Sequence, residues 1–244
     1  MKVFLSVLLT LNLSTALAHE VTYWGKSVIV GNGYAKSYVK MDHANKPLEI
    51  GVAITEDGLV NLPQNEMEEY ILPMPVETNV MPYKHITLDW NPHGHEPDGV
   101  YNTPHFDFHF YFITNEQRQA ITCMGSDEAP CLQMPVSDNL VANYAPGPSG
   151  VPKMGWHWVD LLSPEFNGGI FTRTLIYGYY GGKPIFLEPM ITLEFLQSKE
   201  KSCKEIRMPN VFPDSGYYPK NYEISFDQKL KVHTVVLKSF NTQE

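Results

Sequence analysis

The chain has 244 residues, a formal net charge of −9 and a hydrophobic content of 43%. The negative balance argues against a nucleic-acid partner, whose phosphates need a basic surface. The apolar content suffices for a packed core and argues against disorder.

The N-terminal stretch MKVFLSVLLTLNLSTALA, residues 1–18, has the outline of a secretory signal peptide. Lys2 supplies the charged start, Val3 to Leu13 the apolar run, and Ala16-Leu17-Ala18 the small-x-small cleavage site. That run is too short to span a bilayer, and no later segment reaches ~18 apolar residues, so no membrane anchor is expected. An exported protein, periplasmic or secreted, is the expectation, with a mature chain starting at His19. Roughly 225 residues then remain, enough for one large domain or two small ones.

The mature chain reads as mostly β. "SVIVGNGYAKSYV" holds two alternating segments around Gly31-Asn32-Gly33, a hairpin signal. "LEIGVAIT" (Leu48–Thr55) is a further strand, and Glu56–Leu62 can form one short helical turn. "HITLDW" (His85–Trp90) and "HFDFHFYFI" (His105–Ile113) follow as strands. Thr114 or Asn115 can cap a helix over "NEQRQAI", and Thr192 one over "LEFLQSKEK". The Pro/Gly-rich stretch from Tyr144 to Gly155 is expected to be a long surface loop within one domain. "FTRTLIYGYY" and "KPIFLEPMI" form a hairpin across Gly181-Gly182, and "YEISFD" with "KLKVHTVVLKSF" close the chain as another. The expectation is a mainly β, single-domain β-sandwich or barrel-like fold over residues 19–244, with one or two short helices.

Of three cysteines, Cys123 and Cys131 bracket the polar segment "MGSDEAP" and are the first choice for a disulfide. A bridge from Cys203 to either remains open at the level of sequence. With no C-x-x-C pair, a thiolate metal site is disfavoured.

Four of the nine histidines fall in "HGHEPDGVYNTPHFDFHFYF", His93 to Phe112. Side chains along a strand alternate between faces, so His105, Asp107 and His109 point one way and Phe106, Phe108 and Phe110 the other. One face is aromatic core; the opposite face is a row of metal-capable groups. Pro97-Asp98-Gly99 is a turn signal that can fold His95 and Glu96 back over that row. Such nitrogen and oxygen donors suit a divalent transition metal, zinc first, rather than calcium. The competing reading is a polar groove lined by solvent with no ion. Leaving so many polar groups buried without a partner would be costly, which favours the metal.

Familiar catalytic patterns fail. His95-Glu96 starts like H-E-x-x-H, but Gly99 stands in the second histidine's place and Pro97 opposes a helix. A cupin is a near miss, because its ligand Glu follows H-x-H after several residues, whereas Glu96 directly follows His95. A second cluster lies in "MGWHWVD", where His157 between two tryptophans is as well explained by aromatic packing as by ligation. In "FLEPM", Glu188 taken alone reads as a carboxylate at a strand end.

The blocks "GNGYAKSYV", "HEPDGVYNTPHFDFHFY", "MGWHWVD", "SPEFNGGIFTRTLIYGYYGGKPIFLEPMIT" and "GYYPKNYEISFD" together resemble a family of secreted, β-rich bacterial proteins with no assigned reaction, taken to bind metal. The resemblance implies one site built from three separated segments, with His95, His105, His109, His157 and Glu188 as ligands. Glu96 and Asp107 are then the candidates for general base or for orienting a ligand histidine. Two functional classes follow: a metal-binding envelope protein without turnover, or a metal-dependent secreted hydrolase, a cupin-like oxygenase being the weaker enzyme reading.

Overall fold

The computed structural model describes residues 20–78 and 81–243; the leader segment and His19 lie outside the described residues. In chain order the strands are β1 (Val21–Trp24), β2 (Val28–Val30), β3 (Gly33–Met41), β4 (Pro47–Thr55), β5 (Glu68–Leu72), β6 (His85–Asn91) and β7 (His105–Tyr111). There follow β8 (Tyr144–Val151), β9 (Gly155–Asp160), β10 (Arg173–Tyr180), β11 (Lys183–Thr192), β12 (Ser202–Glu205), β13 (Gly216–Asp227) and β14 (Val232–Gln243). Three short helices accompany them: α1 (Asn115–Gln119), α2 (Glu128–Cys131) and α3 (Leu193–Ser198).

The strands form two antiparallel sheets in a β-sandwich-like fold. One sheet runs β1-β3-β4-β14-β13-β12, with β2 paired to β3. The other runs β5-β6-β7-β11-β10-β9-β8 and carries all the chemistry of interest. Alternation decides what each face of this second sheet does. Ile86, Leu88 and Trp90 of β6, Phe106, Phe108 and Phe110 of β7, and Leu187 and Ile191 of β11 are buried in one core. Val39, Ile50, Val52, Ile224, Val235 and Leu237 of the first sheet complete that core. The opposite face of the same strands is left to the polar residues.

Local signals account for the connections. Gly181 and Gly182 both take positive φ (59° and 72°), as the two-residue turn joining β10 to β11 demands. Thr114 caps α1 through a full capping box, its hydroxyl accepting from Gln117 N–H at 3.3 Å. Thr192 caps α3 by accepting from Phe195 N–H at 3.1 Å.

The stretch expected as a surface loop, Tyr144 to Gly155, contains an eight-residue strand, β8, followed by a turn. Its prolines are tolerated because β8 is the sheet's outermost strand, and its pairing with β9 slips between Pro146 and Gly150. An edge strand or a bulge is where a residue without an N–H can sit. The Cys123–Cys131 disulfide anchors this edge. A Cβ on Gly150 would lie 2.2 Å from Cys131 Sγ, so β8 crosses against the sulfurs where only glycine fits. Asp127 organises the bridged loop, its Oδ2 accepting from the backbone N–H groups of Thr122 (2.7 Å) and Cys123 (2.8 Å). Cys203 is free and exposed on β12.

Two outcomes are expected from this packing. Phe108→Ala, which empties the centre of the core face, lowers stability by about 3–5 kcal/mol in denaturant titrations and leaves the polar face intact. Replacing Cys123 and Cys131 together by serine removes a short loop closure worth roughly 2–3 kcal/mol, read in the same titrations, with peptide mapping of the native protein showing the bridge.

Candidate metal centre

The outer face of the second sheet is built from β6, β7, β11 and β9, and its polar residues fall into register. On β7, His105, Asp107 and His109 project at every second position. On β6, Thr87 lies opposite His109, Asp89 opposite Asp107, and Asn91 opposite His105. On β11, Met190 pairs with Asp107 and Leu187 with Phe110, which sets Glu188 beside His109. β9 brings His157 through the pairing of Gly178 with both His157 and Phe186.

His95 arrives from the loop between β6 and β7. The turn at Pro97 to Gly99 folds it back, Val100 N–H donating to Pro97 O at 3.1 Å, and a β-bridge pairs His95 with Tyr101. Gly94 makes this possible at φ 71°, since a Cβ there would sit 1.9 Å from Tyr101 O.

These residues gather into two triads, His95–His105–Asp107 and His109–His157–Glu188, the donor atoms within each lying no more than 4.8 Å from one another. In the first, His95 Nε2 is 3.4 Å from Asp107 Oδ2 and His105 Nε2 is 3.1 Å from Asp107 Oδ1. In the second, Glu188 Oε2 is 3.4 Å from His109 Nε2 and 3.5 Å from His157 Nε2. Two ligand atoms each ~2.1 Å from a tetrahedral ion stand about 3.4 Å apart, so atoms at the observed spacings could share an ion.

The hydrogen-bond pattern agrees. His95 Nδ1 faces Glu96 O and His105 Nδ1 faces Thr103 O, both at 2.7 Å. A ring whose Nδ1–H donates to a carbonyl presents a bare Nε2, which is the ligating tautomer. By contrast His105 Nε2, His109 Nε2, Asp107 Oδ1, Glu188 Oε2 and both oxygens of Asp89 are buried and lack an aligned hydrogen-bond partner. Their close approaches are at ion-pair distance without hydrogen-bond alignment. Buried polar atoms are rarely left so.

Packing fixes the rings. The Phe186 ring meets His109 edge-on at 4.8 Å and His157 at 5.5 Å. It lies there because residue 178 is glycine: a Cβ at that position would be 2.1 Å from the ring. Tyr111 stacks on His85 at 4.6 Å and flanks His109 at 5.5 Å. Trp158 points from β9 into the sandwich core, so the tryptophans of "WHW" and its histidine serve opposite faces.

A cavity of about 330 Å³ opens above the triads, lined by His95, Asp107, His157 and Glu188 and walled by Met67, Tyr101, Val151, Met154, Val159 and Ile176. The side chain of His95 is 38% exposed and that of His157 19%, so access comes from their side; the remaining triad members are closed off. Glu96 lines the mouth and is itself exposed, with no part in either triad. Asp107, expected as base or orienting group, lies within a triad, and its Oδ2 accepts from Asn91 Nδ2 at 2.7 Å. Glu188 lies in mid-strand, 1% exposed, where its neighbour Pro189 had suggested a strand end. Asp160 stands apart and pairs with Arg207. His93 is exposed.

Asp89 is the residue that the sequence reading passed over. It is 1% exposed, lines the same cavity and lies 3.4 Å from His109 Nδ1 through its Oδ2. Its signal was available in "HITLDWN": the alternation that buries Ile86, Leu88 and Trp90 sends His85, Thr87, Asp89 and Asn91 to the other face.

The electrostatics are those of buried histidines and carboxylates facing one another. Burial opposes charge on His95, but the close contact and negative charge of Asp107 lift its pKa to about 9. Burial opposes charge on His109 as well, and Glu188 and Asp89 overcome it, again to about 9. Burial alone would raise Asp107, yet His105 and His95 hold it well below the usual carboxylate range. Asp89 is pushed up to about 7 by burial, with His109 working against the shift and Asp107 and Glu188 adding to it. Burial pushes His157 down to about 4.

In the metal-free protein, the raised His95 and His109 contribute stability that is complete below the unfolded histidine value near ~6.5. It is lost as pH rises through about 9. Chelator-treated protein is therefore expected to melt at progressively lower temperature between pH 6.5 and 9. Zinc added at pH 7.5 displaces those protons, so binding is accompanied by proton release measurable with an indicator dye. A flat melting profile across that range would show that these histidines are not paired.

Residues 42–90 match the model of a family described as TTHB210-like, hypothetical protein TTHB210. The match spans β4, β5 and most of β6, including Asp89, and ends before the first triad residue. No curated protein and no solved structure matches the chain.

Proposed function

We propose that this is an exported protein that binds a divalent transition metal, zinc first, through His95, His105, Asp107, His109, His157 and Glu188. The observation that carries the reading is the spacing of 3.1–3.5 Å between histidine nitrogens and carboxylate oxygens, of which His105 Nε2, Asp107 Oδ1, His109 Nε2 and Glu188 Oε2 are buried without a hydrogen-bond partner. The donor set of imidazole and carboxylate suits zinc and its neighbours. Export is supported by the outline of the leader and by the intramolecular disulfide, a bond favoured in oxidising compartments. The resemblance of the histidine-rich block to a secreted, metal-binding family points the same way. No helix among the described residues is long and apolar enough to cross a membrane.

A second reading, a metal-dependent hydrolase, is favoured by the cavity. A bound divalent ion lowers the pKa of coordinated water toward ~7. His95 and His105, each oriented by a backbone carbonyl, would hold their Nε2 atoms toward it, and Glu96 at the mouth would take up the proton. The apolar walls and the absence of Lys or Arg from the lining fit a compact, neutral substrate such as a small ester or amide.

Protein exported and purified without chelator is expected to carry at least one transition-metal ion per chain by elemental analysis. Chelation then lowers its melting temperature, because an ion bound only by the native state stabilises it by mass action. His105→Ala and His109→Ala cut the metal content sharply and leave the fold intact, while His157→Ala and Glu188→Ala weaken binding. Metal-free protein whose melting temperature ignores added zinc would sink the metal reading. For the hydrolase, zinc-loaded protein should turn over small neutral esters, and Glu96→Gln should slow this with metal content unchanged; no turnover in the zinc-loaded wild type removes that reading alone.

A further inference from the structure

We infer that Asp89 is a positioning residue for the second triad: it accepts the Nδ1–H of His109 and so leaves that ring's Nε2 bare toward Glu188 and His157. The inference rests on the metal reading above.

Geometry is the first argument. The His109 ring lies between two carboxylates, its Nε2 3.4 Å from Glu188 Oε2 of β11 and its Nδ1 3.4 Å from Asp89 Oδ2 of β6. Asp89 pairs with Asp107 in the β6–β7 ladder, which makes His109 its diagonal neighbour on the same face. Asp107 is already engaged by His95, His105 and Asn91. Phe186, edge-on at 4.8 Å, and Tyr111, nearly parallel at 5.5 Å, restrict how the His109 ring can turn.

The need for an acceptor is the second. His95 and His105 each set Nδ1 against a backbone carbonyl that lies outside the strands, Glu96 O and Thr103 O. His109 sits inside β7, which is paired on one side with β6 and on the other with β11. Backbone carbonyls of such a strand are taken up by the ladders, so a side chain must supply the acceptor. Two stand close enough, Thr87 Oγ1 at 3.3 Å and Asp89 Oδ2 at 3.4 Å. A carboxylate is the stronger acceptor for an imidazole N–H. Asp89 has the matching need for a donor. Both its oxygens are buried without a hydrogen-bond partner, and among the described residues no Lys or Arg pairs with it.

The chemical consequence concerns one proton. Held on Nδ1 by Asp89, it leaves Nε2 as the ring's ligand atom, so any proton displaced by a divalent ion departs from Nε2. The negative charge behind the ring also makes Nε2 a stronger donor. Asp89 acts through His109 and need not touch the ion.

The test uses the full exported chain, stripped by chelator and titrated with zinc against a competing chelator. Nitrogen-15 NMR of the His109 imidazole, assigned with His109→Gln, reports both occupancy of the second triad and which ring nitrogen keeps its proton. Zinc-loaded wild type is expected to keep the proton on Nδ1. Asp89→Asn, which preserves shape, should weaken zinc at this triad roughly tenfold or more and move the Nδ1–H proton resonance upfield, a change that a packing role would not produce. Thr87→Val should weaken zinc less than Asp89→Asn does. Zinc-loaded wild type with the proton on Nε2 overturns the inference, as does Asp89→Asn with wild-type affinity; both leave the metal reading standing. A larger loss in Thr87→Val gives the role to Thr87 and overturns it too. Wild type that binds no zinc overturns the metal reading as well. The wild-type spectrum decides the matter even if Asp89→Asn does not fold.

Discussion

Three carboxylates are buried on one face of a sheet whose other face is the protein's core, with the four imidazoles of the two triads beside them, and among the described residues no Lys or Arg pairs with those carboxylates. That constraint governs the rest. A buried carboxylate needs a cation or a set of donors, and here the available partners are histidines, two of which, His105 and His109, have a buried Nε2 without a hydrogen-bond partner. Within the metal-free protein the conflict is met by protons, which raise His95 and His109 and push Asp89 toward neutrality. A divalent ion meets it better, because it can be approached at once by several of these atoms at their existing separations.

The sandwich makes so polar a face tolerable. Period-two alternation gives each strand two independent surfaces, and on β7 Phe106, Phe108 and Phe110 pack against the facing sheet while the intervening residues are free for chemistry. The core supplies stability, and the rigid ladder supplies placement: Asp89, Asp107, His109 and Glu188 are set by registers rather than by loops. Only His95 comes from a loop, and it is the most exposed of the triad residues. The wall of the cavity is tied to the covalent framework, since the edge strand β8 lies against the Cys123–Cys131 bridge and contributes Val151 to the lining. Glycines at 94, 150 and 178 permit three close approaches that shape the site: a loop folded back, a strand over a disulfide, and a phenyl ring between two histidines.

Legibility followed the range of the information. His105, Asp107 and His109 were readable because alternation is local: each residue's face is set by its neighbours in the chain. The strands β6, β7, β10, β11, β13 and β14 and the two capped helices were readable on the same grounds. Glu188 was harder, as Pro189 suggests the end of a strand, yet β11 continues to Thr192. There the pairing between β11 and β7 simply passes over Glu188 and Pro189. The stretch from Tyr144 to Gly155 looked like a loop because its prolines cannot donate to a ladder, a penalty that disappears at a sheet edge. Asp89 lay in a correctly read strand whose alternation sends it to the polar face, but a single carboxylate there does not say which residues of other strands it meets.

What the sequence determined by itself, then, was composition on each face: an aromatic core face, a metal-capable face, the polar loop between two cysteines, and the turns that join hairpins. These follow from dihedral preferences and side-chain alternation, which act over a few residues. Only the tertiary structure decided that the metal-capable residues divide into two triads, that Asp89 stands against His109, and that β8 closes a cavity above. The physical reason is that strand order and register are set by the packing of whole faces against one another. Residues 89, 107 and 188 have no relation along the chain and acquire one only when their strands lie side by side.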